Sequence, residues 1–260
     1  YWVNFGIPLL CAAVVFMLFD MTRIDIAFSN LLFDPVNQIF PIDHIHIFEQ
    51  FTHKWARIVP NWTAEIALIG GLLSFVWPRI NPHKHPRLGS FLERSKAGPL
   101  LRFTHEHRRD FWFVVFAFAI CTGVIHFLKA HTSVYCPIET TLYGGQLPHI
   151  EWYNNFQLFH EAGEGRCWPG GHASTGFSLF ALFFVLRDRR PRLARQALVF
   201  AVALGSVFSI SRMMQGAHFF SHNVWTAIFC WLICLGSYYW LLYRPAMKAE
   251  AAVKAQPVTP

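Results

Sequence analysis

Two short stretches set histidines beside groups suited to holding a phosphate: Arg166-Cys167-Trp168-Pro169-Gly170-Gly171-His172-Ala173-Ser174 and Ser211-Arg212-Met213-Met214-Gln215-Gly216-Ala217-His218. Glycines ahead of a helix leave backbone N–H groups pointing at an anion, and a histidine there can exchange a proton or attack phosphorus. Arg212 brings the planar guanidinium that suits phosphate oxygens. Lys129 leaves an apolar run with six residues between it and Cys136-Pro137. His218 and His222 are four apart and share a face if the last helix begins that early. The chemistry these residues could do together is phosphoryl transfer.

The elements that must position them are apolar. The chain has 260 residues, of which 54% are hydrophobic, 17% aromatic and 14% charged, with a formal net charge of +7. That excludes an ordinary soluble domain and points to a polytopic membrane protein. A span needs about 20 mostly apolar residues, and the candidates are 3–19, 61–77, 111–128, 173–186, 197–212 and 223–243. The fourth and fifth are short, so their helices should extend into the motif residues. Residues 3–19 lack a basic flank and a small-residue cleavage site, which favours a retained span over a signal peptide.

The segments between spans separate by charge. Segments 78–110, 187–196 and 244–260 hold 16 of the 22 Lys/Arg residues; segments 20–60, 129–171 and 211–222 hold the other six. The positive-inside rule makes the first set cytoplasmic, puts both termini inside and turns every candidate site residue outward. The expected architecture is an all-α integral membrane protein: six transmembrane helices, an outward-facing active site and an interfacial helical segment after the first span. That last segment is read from the aromatic and polar alternation of Ile47-Phe48-Glu49-Gln50-Phe51 and Trp55, which fits an amphipathic surface helix or a plain cap over the bundle. Residues 1–244 form one membrane domain, and 245–260, rich in Ala, Pro and Lys, read as a disordered cytoplasmic tail.

The three segments resemble the motifs of the type-2 phosphatidic acid phosphatase superfamily, K-x6-R-P, P-S-G-H and S-R-x5-H-x3-D, and the ordered third motif is the most specific part. The resemblance implies that His218 is the nucleophile that forms a phosphohistidine. It implies that His172 is the general acid and later the base that activates water. Lys129, Arg212, Ser211 and the N–H groups near Gly170 and Gly171 would hold the phosphate oxygens, without a metal or other cofactor. The chain departs from the pattern at three places: Cys136 stands for the first-motif arginine, Gly170 for the serine and His222 for the aspartate. Arg166 could supply the missing cation. His222, Glu139, Glu151, Glu161 or Glu164 could orient His218. Cys136 and Cys167 flank the first two motifs on the outward, oxidising side, as a disulfide or as two free thiols.

The implied activity is hydrolysis of a lipid phosphomonoester or pyrophosphate headgroup at the periplasmic face of a bacterial inner membrane. The partners are a phosphorylated lipid and the bilayer, with no nucleic acid. One alternative is a lipid phosphotransferase, where a lipid hydroxyl replaces water. Others are a transporter, haem carrier or binding protein using the spare histidines, or a non-catalytic relative. The H-x-H pairs His44/His46, His83/His85 and His105/His107 are the residues a metal or haem would use, although solvated faces explain the last two pairs better. His126 lies inside the third span, where a hydrogen bond to a neighbouring helix would satisfy it.

Overall fold

A computed structural model describes residues 2–43, 45, 50, 57–80, 85–95 and 97–254. The regular secondary structure among the described residues is helical, with isolated bridges in place of any sheet. In chain order the helices are α1 (Trp2–Val15, prolonged by a wide turn Phe16–Asp20), α2 (Ile24–Asn30), α3 (Ile58–Leu73), α4 (Pro86–Arg94), α5 (Ala97–Glu106) and α6 (Arg108–Thr132). They continue as α7 (Gly171–Phe177), α8 (Phe180–Leu186), α9 (Pro191–Met214), α10 (Phe220–Tyr238, with a wide turn Tyr239–Tyr243) and α11 (Arg244–Lys254).

Five helical stretches among the described residues are long and apolar enough to cross a membrane: Val3–Asp20, Ile58–Ile80, Arg108–Glu139, Pro191–Met214 and Phe220–Lys254. The fourth expected span is a shorter apolar stretch, Gly171–Leu186, bent between α7 and α8, where the Leu179 N–H bonds the Gly176 carbonyl in a tighter turn. The long stretches all end after, and all but the first start before, the apolar runs. The flanking basic and motif residues carry the hydrogen-bond ladder onward at no desolvation cost. The spans bare large side chains such as Val3 (69% exposed) and Val199 (69%), as lipid-facing surfaces do.

The expected surface helix around Ile47, Phe48 and Trp55 lies outside the described residues; α2 is the described short helix after the first span. The stretch expected to be a disordered tail is helical to Lys254. Its run of Ala, Lys and Glu is a strong helix former, joined by a Lys254–Glu250 pair one turn apart.

The core lies where α6, α7, α8 and α10 meet, with Phe113, Ala117, Phe184 and Leu235 fully buried. Lipid tails are as apolar as these side chains, so such helices associate through close packing and buried hydrogen bonds. One end of the bundle is basic and closed by polar contacts. Arg189 pairs with Asp110, Arg108 donates to Ser74, and the Tyr238 hydroxyl donates to Asp188. There His105 and His107 each bond a backbone carbonyl, of Ser74 and Phe103. Helix α6 runs from that end for about 36 Å at 1.5 Å per residue and delivers Lys129 to the other. Cys121, Cys230 and Cys234 are buried thiols, whereas Cys11 faces outward from α1.

Candidate active site

The segment Ser133–Gly170 folds back over the end of α6. Ser133 takes a left-handed turn, the Cys167 N–H bonds Val134 O at 2.8 Å, and the Ala162 N–H bonds Ala130 O at 3.0 Å. Thr132 Oγ1 reaches Trp168 O at 3.1 Å. Cys136 and Cys167 are joined in a disulfide with Cα atoms 5.1 Å apart. Glu139 Oε2 accepts the Cys136 N–H at 2.7 Å. Cys136, Glu139 and Cys167 bring ligand atoms within 4.8 Å of one another, but the two sulfurs are spent on each other.

This clamp sets Lys129 against the start of α7. Gly171 allows the approach, because a Cβ there would lie 2.9 Å from Lys129 Cε. At the end of α9 the chain turns back, with the Gly216 N–H on Met213 O and the Ala217 N–H on Arg212 O. That turn puts His218 beside Arg212 just before α10. The result is a cavity of about 390 Å³ whose walls include Lys129, Arg166, His172, Arg212 and His218, together with Glu139 and Glu164.

His218 is buried (4% exposed). Its imidazole is held well below its ordinary pKa, first by burial and then by the positive charges of Lys129, His222, Arg212 and His172. It is therefore neutral at physiological pH, with a lone pair on the ring. Nδ1 of His218 is buried and meets no hydrogen-bond partner among the described residues. A buried polar atom left unmade costs about 1–3 kcal/mol, a cost the fold carries at the residue with the strongest case for nucleophilic chemistry.

Several expected roles change. His222 does not accept a bond from His218. Their ring centroids lie 5.9 Å apart, edge to face, and His222 Nδ1 bonds Cys167 O at 2.9 Å. That tautomer-fixing bond ties α10 to the clamped loop instead. Gly170 N–H is spent on His222 O at 3.1 Å, so it is not a phosphate donor. The Ser211 hydroxyl bonds Phe208 O within its own helix at 2.9 Å and does not line the cavity. Arg166 lines it, but its guanidinium also reaches the carbonyls of Ala130, Gly163 and Gly165 and pairs with Glu161 at 2.7 Å. Lys129 Nζ donates to Arg166 O, and Arg212 Nη1 donates to Gln215 Oε1 at 2.9 Å. Of the four glutamates offered as orienting groups, Glu139 and Glu164 line the cavity and Glu151 pairs with His149; none bonds His218.

Two carboxylates not anticipated from the sequence brace α10. Asp25 of α2 accepts both the N–H and the hydroxyl of Ser221, between His218 and His222. Asp20 accepts the indole N–H groups of Trp152 and Trp225 at 3.0 and 2.8 Å. These indoles pack with the fully buried Trp168 next to Cys167. Arg57 at the start of α3 borders an adjoining groove with Lys129 and His172. No motif in the sequence singled it out, since Arg23 and Lys54 share its segment.

A relative from Francisella tularensis subsp. novicida (strain U112), described as Lipid A 4'-phosphatase, is 29% identical over 149 residues, which is 55% of this chain and 63% of that protein. The chain thus matches less than two thirds of that relative's length. No solved structure was found to match it. The family model of the PAP2 superfamily matches residues 110–246, just over half of the chain and all of the cavity's walls, and the chain belongs to that superfamily.

Proposed function

We propose that the protein is a membrane-embedded lipid phosphate phosphatase that works through a phosphohistidine on His218. One observation carries this reading: His218 and His172 line one cavity with Lys129, Arg166 and Arg212. The relative described as Lipid A 4'-phosphatase supports a lipid substrate.

In this reading the lone pair of the neutral His218 ring attacks phosphorus as the P–O bond to the lipid breaks. His172, protonated, gives its proton to the departing oxygen, so a neutral lipid alcohol leaves. Lys129, Arg166 and Arg212 balance the charge spread over the transferring oxygens. His172, now neutral, takes a proton from water as that water attacks phosphorus; the P–N bond breaks and inorganic phosphate departs. These steps need no group beyond the side chains named.

Six spans, with Gly171–Leu186 as the short fourth, would place both termini on one side. The charge bias of the connecting segments would turn the cavity to the periplasmic face of the inner membrane. The test is phosphate release from a panel of lipid phosphates by the purified protein in detergent. His218→Ala and His172→Ala should each abolish it, and undiminished release in both variants would refute the assignment.

A further inference from the structure

Beside the catalytic cavity lies a second groove of about 290 Å³ that shares Lys129 and His172 with it. Arg57 just before α3, Thr122 and His126 of α6 and Thr175 of α7 also border it. Every titratable residue on its walls is basic, whereas the catalytic cavity also carries Glu139 and Glu164. Arg57 Nε is buried and meets no hydrogen-bond partner among the described residues. Thr122 and His126 are exposed on the flank of α6, so the groove opens sideways toward lipid.

We propose that this groove is a second phosphate subsite, and that the headgroup bound here carries two phosphates. The inference rests on the phosphatase reading above. If His218 attacks from the main cavity, the leaving oxygen points away from it, toward the residue that protonates it. That residue, His172, forms the wall common to both cavities. Whatever follows the scissile oxygen in the substrate therefore enters the groove. A phosphate there meets the planar donor fork of Arg57, the shared Lys129 and two threonine hydroxyls, a donor set with no carboxylate to repel it. The apolar part of the lipid then leaves past Thr122 into the bilayer. Arg57 thereby becomes the specificity-determining residue for the leaving group, a task separate from holding the transferred phosphate.

The experiment compares KM for three lipids in detergent: an isoprenoid monophosphate, the same isoprenoid diphosphate, and a glycolipid with phosphates on two different sugar positions. Arg57→Gln should raise the KM ratio of a doubly phosphorylated lipid to the monophosphate by about tenfold, with partial rescue by Arg57→Lys. The doubly phosphorylated lipid that shows the shift tells whether the second phosphate is adjacent or remote. An equal change for all three lipids, or none, overturns the proposal. Binding of the isoprenoid diphosphate to the His218→Ala protein, followed by calorimetry, decides the matter without turnover. Arg57→Gln in that background, with the two-position glycolipid titrated alongside, should weaken one of the doubly phosphorylated lipids about tenfold more than the monophosphate, and equal weakening of all three again overturns it. Absence of phosphate release by the wild type would count against the phosphatase reading alone.

Discussion

Asp25 receives both donors of Ser221, the N–H on Oδ1 at 3.1 Å and the hydroxyl on Oδ2 at 2.5 Å, across 196 residues of chain. Ser221 lies in the first turn of α10, between the two histidines. A carboxylate there also suits the positive end of the helix. The stacked pair Phe28–Phe220, with centroids 5.4 Å apart, holds the same junction. Loss of this anchor should displace His218 within its cavity, and displacements near 1 Å can cost about 100-fold in rate. Asp25→Ala should therefore lower kcat by about 10- to 100-fold with a smaller change in KM. An unchanged kcat would show that α10 is held by its other contacts.

The same carboxylate gives stability a pH signature. Burial lifts the Asp25 pKa to about 6, with Asp20 and Glu151 adding to the rise and the Ser221 bonds opposing it. Because the folded state holds this proton more tightly than the unfolded one, the contribution is full below the ordinary value near 3.8. It is lost as pH rises through about 6. Asp25→Asn removes that titration. The difference in Tm between wild type and Asp25→Asn should thus move against the wild type between pH 4 and pH 7. A constant difference over that range would contradict the assignment.

His218 titrates in the opposite sense. Its pKa lies well below 6.5 in the folded protein, so its nucleophilic form survives acidification that would protonate an exposed histidine. The acid limb of kcat/KM governed by His218 should lie below pH 6.5, and a limb centred at or above 6.5 would argue against a buried neutral nucleophile. Stability follows the same group: it is complete above 6.5 and falls as pH drops toward the lowered value.

Five of the six expected spans are legible in the sequence from local pattern, and the resemblance singles out Lys129, His172, Arg212 and His218, whose meeting in one cavity is the work of the fold. Apolar runs must be helical in a bilayer, and each motif sits at a helix end. The division of labour among the donors is not legible. Whether Gly170 N–H meets a phosphate or His222 O depends on how α10 packs on α7, a relation between residues 52 apart. Asp25 and Arg57 come from segments with no motif at all, and only the fold brings them to the site.

The disulfide between Cys136 and Cys167 closes a loop of 31 residues, and constraining a loop of that size contributes about 2–4 kcal/mol. Cys136→Ser or Cys167→Ser should lower Tm under oxidising conditions and match the wild type once both are reduced. The clamp also carries Arg166 and the carbonyl that receives Lys129, so the same variants should lose phosphate affinity, read as a raised KM.

Gly170 tests whether the departure from the family's serine is compensated locally. A Cβ at this position would lie 2.5 Å from Asn223 Oδ1, a buried oxygen with no hydrogen-bond partner among the described residues. The Asn223 amide nitrogen meanwhile bonds Phe219 O at 3.1 Å, which keeps the side chain from swinging away freely. Restoring the family motif with Gly170→Ser should therefore destabilise the protein by about 1–3 kcal/mol, the usual range for overpacking a buried contact. Asn223→Ala clears the space at the expense of its own bond. The double variant should consequently be more stable than the two single effects added together, because the clash exists only when both side chains are present. A thermal-denaturation cycle on the four proteins measures this directly. Strict additivity would mean that Asn223 is not what excludes a side chain at 170.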